Sequence, residues 1–251
     1  MSHTIYTSYA PIYAASGQAW VGLRAWATVE RWLSAAGWRG QQAADLGCGT
    51  GEVAAVLAQA GYHVAAVDRS AAMLAQAQAT NADSRITWEL ADLADWHSAP
   101  LDLVVSFYDT LNYLTELDTL TSLIAQVGAA LRPGGIFAFD LTTPSEYITW
   151  DERSTVTADN DDLFVYNVLH FTPESQLAEG RIVWFERAEG GWHRGEETHL
   201  QRAHSDAEVV GALHAAGLSV QARLDLLGAP ADLATATRIV YLAQRLAAPP
   251  S

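Results

Sequence analysis

The stretch DLGCGTG at 45–51 limits what this chain can fold into more than any other part of it. Ala43, Ala44 and Leu46 lead into it and the helical-looking EVAAVLAQAG follows to Gly61, so the segment reads as strand, tight loop, helix. Gly47, Gly49 and Gly51 let the backbone turn sharply and bring bare N–H and C=O groups up to a ligand, with a helix N-terminus behind them. The dinucleotide pattern GxGxxG would need glycine at 52. That position is Glu52, which would set a negative charge against a pyrophosphate.

The same alternation continues along the chain. HVAAVD (63–68) reads as a buried strand ending in Asp68, and SAAMLAQAQA (70–79) as a helix capped by Ser70. ITWELADL (86–93) reads as a third strand with Asp92 near its end. LDLVVSF (101–107) and GGIFAFDL (134–141) are apolar strands, with the helix TLTSLIAQVGAALRP (119–133) between them. Strands alternating with helices predict a parallel sheet covered on both faces. Upstream, Trp20, Leu23, Trp26, Ala27, Val29, Trp32 and Leu33 predict an amphipathic helix from about Gln18 to Ala36, closed by Gly37.

After Pro144 the texture changes. Residues 162–203 carry three strand-like runs separated by PES and EGG, which predict antiparallel strands. A helix (206–217), a strand (218–226) and a last strand (236–246) then return to the main sheet and give it an antiparallel edge. The expected fold is α/β: a Rossmann-like, doubly wound, mostly parallel sheet with an antiparallel edge and a small antiparallel β insertion.

Asp68 ends the second strand, where a carboxylate accepts ribose hydroxyls, and Asp92 follows the third, where it accepts from an exocyclic amine. Together they describe adenosine. A ligand with adenosine, no phosphates and an amino-acid tail near Asp45 is S-adenosylmethionine (SAM).

The ordered set DLGCGTG, VDRSAAML, ADL and the LRPGG turn, over roughly residues 40–142, resembles class I SAM-dependent methyltransferases. SFYDTLNYL (106–114) is further similar to bacterial small-molecule methyltransferase-domain families that include amino-sugar N-methyltransferases. The resemblance implies that Gly47, Cys48 and Gly49 hold the methionine end beside Asp45, that Asp68 holds the ribose, that Met73 packs on the adenine, and that Arg69 also contacts the cofactor. Asp92 and Leu93 would contact the adenine edge and Phe107 would line the floor. It also implies an N-terminal lid with Tyr9 and Tyr13, and S-adenosylhomocysteine (SAH) as product. The organisation expected is a helical lid (1–36), a SAM-binding core (37–145), a β insertion (146–204) serving as acceptor-pocket wall or dimer contact, and completion of the sheet (205–251).

Candidates for chemistry are His199, Tyr13 and Asp109. Glu197, His199 and Gln201 alternate on one presumed strand face, which is either wet or turned into the acceptor pocket. Asp109 reads equally as a helix cap. Cys48 reads as a small buried hydrophobe rather than a nucleophile, since no base is visible beside it. As the single cysteine it permits no disulfide framework and no Cys-cluster metal site, and no HExxH spacing occurs, so no metal is expected.

A net charge of −15, from 29 acidic and 14 basic residues, repels phosphate backbones and anionic membranes. Nucleic-acid and membrane partners are therefore not expected. A small methyl acceptor is, with an amine preferred to a hydroxyl. The absence of a signal-like N-terminus and of a long apolar run predicts a cytoplasmic chain, monomeric or homodimeric. Two other readings stay open: an NAD-dependent oxidoreductase on the same fold, and a SAM-binding protein without chemistry.

Overall fold

The computed structural model describes residues 5–150 and 153–246, so the ends of the expected 1–36 and 205–251 segments lie outside the described residues. The chain opens with α1 (Ala10–Ala15) and α2 (Trp20–Ala35). It continues through β1 (Gln42–Leu46), α3 (Glu52–Gln59), β2 (His63–Asp68), α4 (Ala71–Thr80), β3 (Ile86–Leu90) and β4 (Leu101–Ser106). Then follow α5 (Leu117–Ala130), β5 (Leu131–Thr142), the single turn α6 (Pro144–Tyr147) and four long strands: β6 (Arg153–Asp159), β7 (Leu163–Thr172), β8 (Leu177–Ala188) and β9 (Gly191–Arg202). α7 (Asp206–Ala215), β10 (Leu218–Leu224) and β11 (Arg238–Arg245) complete the main sheet.

That sheet runs β10-β11-β5-β4-β1-β2-β3, and β11 is its reversed strand. The expected antiparallel edge is thus one place in from the edge, because β11 pairs along β5 from Arg238↔Thr142 to Gln244↔Ile136 and β10 lies outside it. Both faces are covered. Val29, Leu33, Val53, Leu57 and Leu74 of α2, α3 and α4 pack on one, and Leu120, Leu123, Ile124, Val127 and Leu213 of α5 and α7 on the other. The buried stripe of α2 starts at Val21, and Trp20 is exposed rather than part of it.

Three boundaries differ from the sequence pattern for physical reasons. The third strand stops at Leu90, because the Asp92 carboxylate accepts the Ala94 N–H at 2.9 Å and opens a 3-10 turn instead of extending the ladder. α5 ends at Ala130, not 133, because Pro133 has no N–H to give and disfavours helix in the residue before it. β6 gave no alternating signal because it is an exposed edge strand with no buried residue.

β6 to β9 form a separate four-stranded antiparallel sheet in that order. It sits over the carboxyl ends of the parallel strands, and Tyr9 and Ile12 pack against its Leu163, Val165 and Trp184. Among the described residues, no helix is long and apolar enough to cross a membrane, and no group of three His, Cys, Asp or Glu side chains is placed to hold a metal.

Candidate functional site

The loop after β1 needs glycine where it turns. Gly47 has φ +72°, and a Cβ there would lie 2.3 Å from the Thr110 methyl. Its N–H and that of Cys48 both donate to the Val67 carbonyl, at 2.8 and 3.0 Å, which draws the loop across the end of β2. Asp68 closes the arrangement. One carboxylate oxygen accepts the Gly49 N–H at 2.9 Å and the other the Ser70 N–H at 2.8 Å. The Ser70 hydroxyl in turn caps α4 through Met73 and donates to the Tyr6 carbonyl at 2.7 Å, tying the N-terminal segment to this end of the sheet.

Above the loop lies a cavity of about 130 Å³. It is lined by all of Tyr13, Asp45, Gly47, Cys48, Gly49, Asp68, Arg69, Met73, Asp92, Leu93 and Phe107. Met73 and Phe107 are buried walls, whereas Arg69 and Asp92 are exposed at its mouth. Four carboxylates (Asp45, Glu52, Asp68 and Asp92) face one arginine, which disfavours phosphates and suits a cationic ligand. Asp45 is fully buried, and burial, with Asp68 the next cause, pushes its carboxyl up to about 8. Its Oδ2 has no hydrogen-bond partner. The Cys48 thiol is driven well above its usual value by burial and then by Asp45, so it stays a neutral wall rather than a nucleophile.

A second cavity of about 160 Å³ lies between the N-terminal segment, the top of β4 and the second sheet. Tyr6, Tyr13, Tyr108 and Tyr113 line both cavities and form their boundary. Tyr9, His199, Gln201, Asn167, Asp109 and Trp150 line the second alone. Burial raises the phenols of Tyr6, Tyr13 and Tyr113 well above their ordinary value, so they remain neutral. The β9 face carrying Glu197, His199 and Gln201 is therefore turned inward, with His199 and Gln201 buried.

Residues 43–135 match the family described as methyltransferase domain. A provisionally named methyltransferase of Geobacillus sp. (strain WCH70) is 29% identical over 210 residues, covering 80% of this chain and 83% of that protein. The fold is shared, at TM-score 0.82 and 23% identity, with an S-adenosylmethionine-dependent methyltransferase from Clostridium acetobutylicum ATCC 824, over 96% of this chain and 98% of that one. Residues 43–135 thus match a methyltransferase domain, and the whole chain shares the fold of S-adenosylmethionine-dependent methyltransferases. A second shared fold is that of SAM-bound CalS10, an amino pentose methyltransferase from Micromonospora echinaspora involved in calicheamicin biosynthesis (TM-score 0.75, 20% identity, 98% and 99% covered).

The first cavity of this methyltransferase fits its cofactor, SAM. The unpartnered Asp45 oxygen calls for a donor such as an ammonium group, the glycine loop leaves room where a Cβ would intrude, and both Asp68 oxygens keep a lone pair. Asp109 is not a helix cap: it has φ +68°, its side chain makes no capping bond, and it pairs with Arg238 at 2.7 Å while accepting from Thr142 Oγ1 at 2.7 Å. Tyr9 faces the second cavity and Trp184, not the cofactor cavity. Sequence reasoning passed over Tyr6, Tyr108 and Arg238, whereas Tyr113 follows the fourth strand at the carboxyl end where such folds place their chemistry. The spacing of Tyr6, Tyr9 and Tyr13 carried a signal for the first; Arg238 carried none, being one arginine in an apolar strand.

Proposed function

We propose that this methyltransferase acts on a small molecule, and that an amine is the preferred acceptor. The observation that carries the reading is the meeting of two cavities at four tyrosines, one cavity built for a cationic nucleoside and the other lying beyond it. When bound, SAM supplies a methyl group already activated by its sulfonium. The protein's part is to hold and orient. Asp45 receives the α-amino group, the loop at Gly47, Cys48 and Gly49 the methionine end, Asp68 the ribose, Asp92 and Leu93 the adenine edge, and Met73 and Phe107 the faces, with Arg69 at the mouth. Alignment of an acceptor lone pair at about 3 Å from the methyl is the main catalytic demand. The aromatic residues lining the second cavity and the −15 net charge favour an acceptor that arrives as a cation.

The test is thermal stability with SAM, SAH or NAD, followed by SAH release from panels of amines, alcohols and carboxylic acids. A ligand at about 100 times its dissociation constant stabilises by roughly 2.7 kcal/mol. The reading expects a shift with SAM and SAH and turnover of amines. Stabilisation by NAD alone would overturn the cofactor assignment, and turnover confined to carboxylates would overturn the amine.

A further inference from the structure

Three segments far apart in sequence meet beside the boundary between the two cavities. Tyr6 comes from the N-terminal segment, Tyr113 from the 3-10 turn after β4 (Thr110–Tyr113), and His199 from the middle of β9. The Tyr6 and Tyr113 hydroxyls are 2.8 Å apart, and the Tyr113 hydroxyl is 2.8 Å from His199 Nδ1. On its other side His199 Nε2 faces Glu197 Oε2 at 3.5 Å. All four side chains are largely shut off from water, His199 and Glu197 with 5% and 10% of their side chains exposed.

The direction of this chain follows from what each group can do. A carboxylate only accepts, so the ring nitrogen facing Glu197 carries the hydrogen and Nδ1 is left as an acceptor. Nδ1 then receives the Tyr113 hydroxyl hydrogen, Tyr113 receives that of Tyr6, and the Tyr6 oxygen is left to accept from whatever occupies the cavities. The titratable groups around the imidazole are Glu197 on its own strand, Tyr113, and the rings of Tyr6 and Tyr9 from the N-terminal segment.

We infer that Tyr6, Tyr113 and His199 form a proton relay that strips an ammonium acceptor of one proton. This rests on the amine reading above. The acceptor N–H proton passes to Tyr6 Oη, the Tyr6 hydroxyl proton to Tyr113, and the Tyr113 proton to His199 Nδ1. The imidazolium so formed lies against the Glu197 carboxylate, and the nitrogen keeps the freed electron pair for attack. Tyr6 touches the acceptor; Tyr113 and His199 act through it. The relay exists only when the N-terminal segment is seated, because that segment brings Tyr6. Glu197, which holds the segment by the backbone N–H groups of Tyr6, Ser8 and Tyr9, thereby links closure to proton removal.

The experiment has a spectroscopic and a kinetic arm. In the SAH complex, the ¹⁵N spectrum of imidazole-labelled protein is expected to show His199 with hydrogen on Nε2 and a hydrogen-bonded Nδ1, a signature lost in Tyr113→Phe. SAH release from benzylamine, ethanolamine and a set of cyclic amines is then followed with pH. Tyr113→Phe and His199→Gln are expected to lower kcat at least about tenfold near neutrality with KM within a few-fold, and to approach the wild type as alkali deprotonates the amine in solution. Hydrogen on Nδ1, or a loss of rate equal at every pH, overturns the relay while the amine reading stands. A wild type that binds SAH yet turns over no amine overturns both, and one that SAH does not stabilise overturns the cofactor site itself.

Discussion

Asp68 Oδ2 accepts the backbone N–H of Gly49 at 2.9 Å, so the residue assigned to the ribose also holds the loop assigned to the methionine end. Asp68→Ala removes both roles, and charge-assisted hydrogen bonds contribute about 1.5–3 kcal/mol each. SAH affinity measured by calorimetry is expected to fall by about 10- to 100-fold or more. Asp68→Asn keeps an acceptor and should fall less. Equal and full affinity in both variants would remove Asp68 from the cofactor site.

How far the site was legible follows from where its parts lie in the chain. The loop, Asp68 and Asp92 recur at the ends of successive strands, and local spacing fixes that in any βαβ arrangement; the family resemblance added Tyr13, Arg69, Met73, Leu93 and Phe107, so eleven cavity residues were readable from one sequence. The acceptor side was legible only in part: Asp109, His199 and Gln201 were named from their places on the chain, but not what they meet. Tyr6 and Tyr113 are 107 residues apart, and Tyr113 and His199 86 apart, and their meeting depends on how the second sheet folds over the first. β6 was invisible because an exposed edge strand has no buried face to pattern its residues. The fold class was legible because the apolar runs of the parallel strands and the amphipathic helices are properties of each element alone.

Asp45 predicts a pH effect. Its carboxyl titrates at about 8 in the folded protein, held there by burial and then by Asp68, against roughly 3.9 unfolded. Between these values the folded state binds a proton that the unfolded state does not, so stability falls as pH rises through that window, by at most about 1.4 kcal/mol per pH unit for this group. Asp45→Asn should flatten that slope in thermal unfolding without cofactor. Binding of SAM or SAH, whose ammonium favours the carboxylate, should release protons near pH 7, seen as a dependence of binding heat on buffer ionisation. An unchanged slope in Asp45→Asn would show that the carboxyl is already ionised.

Arg238 stands between the Asp109 and Asp140 carboxylates, and Asp140 also accepts the Tyr108 N–H at 2.6 Å. Burial would weaken the guanidinium charge, but the two carboxylates outweigh it and keep Arg238 protonated. The trio fixes Tyr108 and Asp109, two consecutive non-glycine residues at φ +61° and +68°, a conformation that costs about 1–3 kcal/mol each. Arg238→Met strands the buried Asp140 carboxylate and the half-buried Asp109 carboxylate, and is expected to destabilise by about 3–5 kcal/mol. At about 2–4 °C per kcal/mol that is a readily measured fall in Tm. Turnover should fall more than SAH affinity, since Arg238 lines neither cavity while Tyr108 walls both. A stable Arg238→Met protein with full activity would show that the backbone holds this corner without the ion pairs.

Glu197 gathers the N–H groups of Tyr6, Ser8 and Tyr9 at 2.7, 3.2 and 3.0 Å and the Ser8 hydroxyl at 3.1 Å. Burial acts to raise its pKa, but the His199 contact and the Tyr6, Tyr9 and Ser8 bonds together take it below the ordinary glutamate value. A carboxylate lowered in this way stabilises above its unfolded value of about 4.3, and the contribution is lost as pH falls through the lowered one. At neutral pH the segment is thus held by a full charge. Glu197→Ala leaves three backbone donors without an acceptor, and amide exchange at Tyr6, Ser8 and Tyr9 should quicken at least about tenfold while α5 is unaffected. Because Tyr6 and Tyr13 wall the cofactor cavity, SAH should also dissociate faster. Quickened exchange with unchanged dissociation would mean that the segment covers the acceptor cavity alone. Unchanged exchange would mean that packing of Tyr9 and Ile12 on Trp184 and Val165 suffices to seat it.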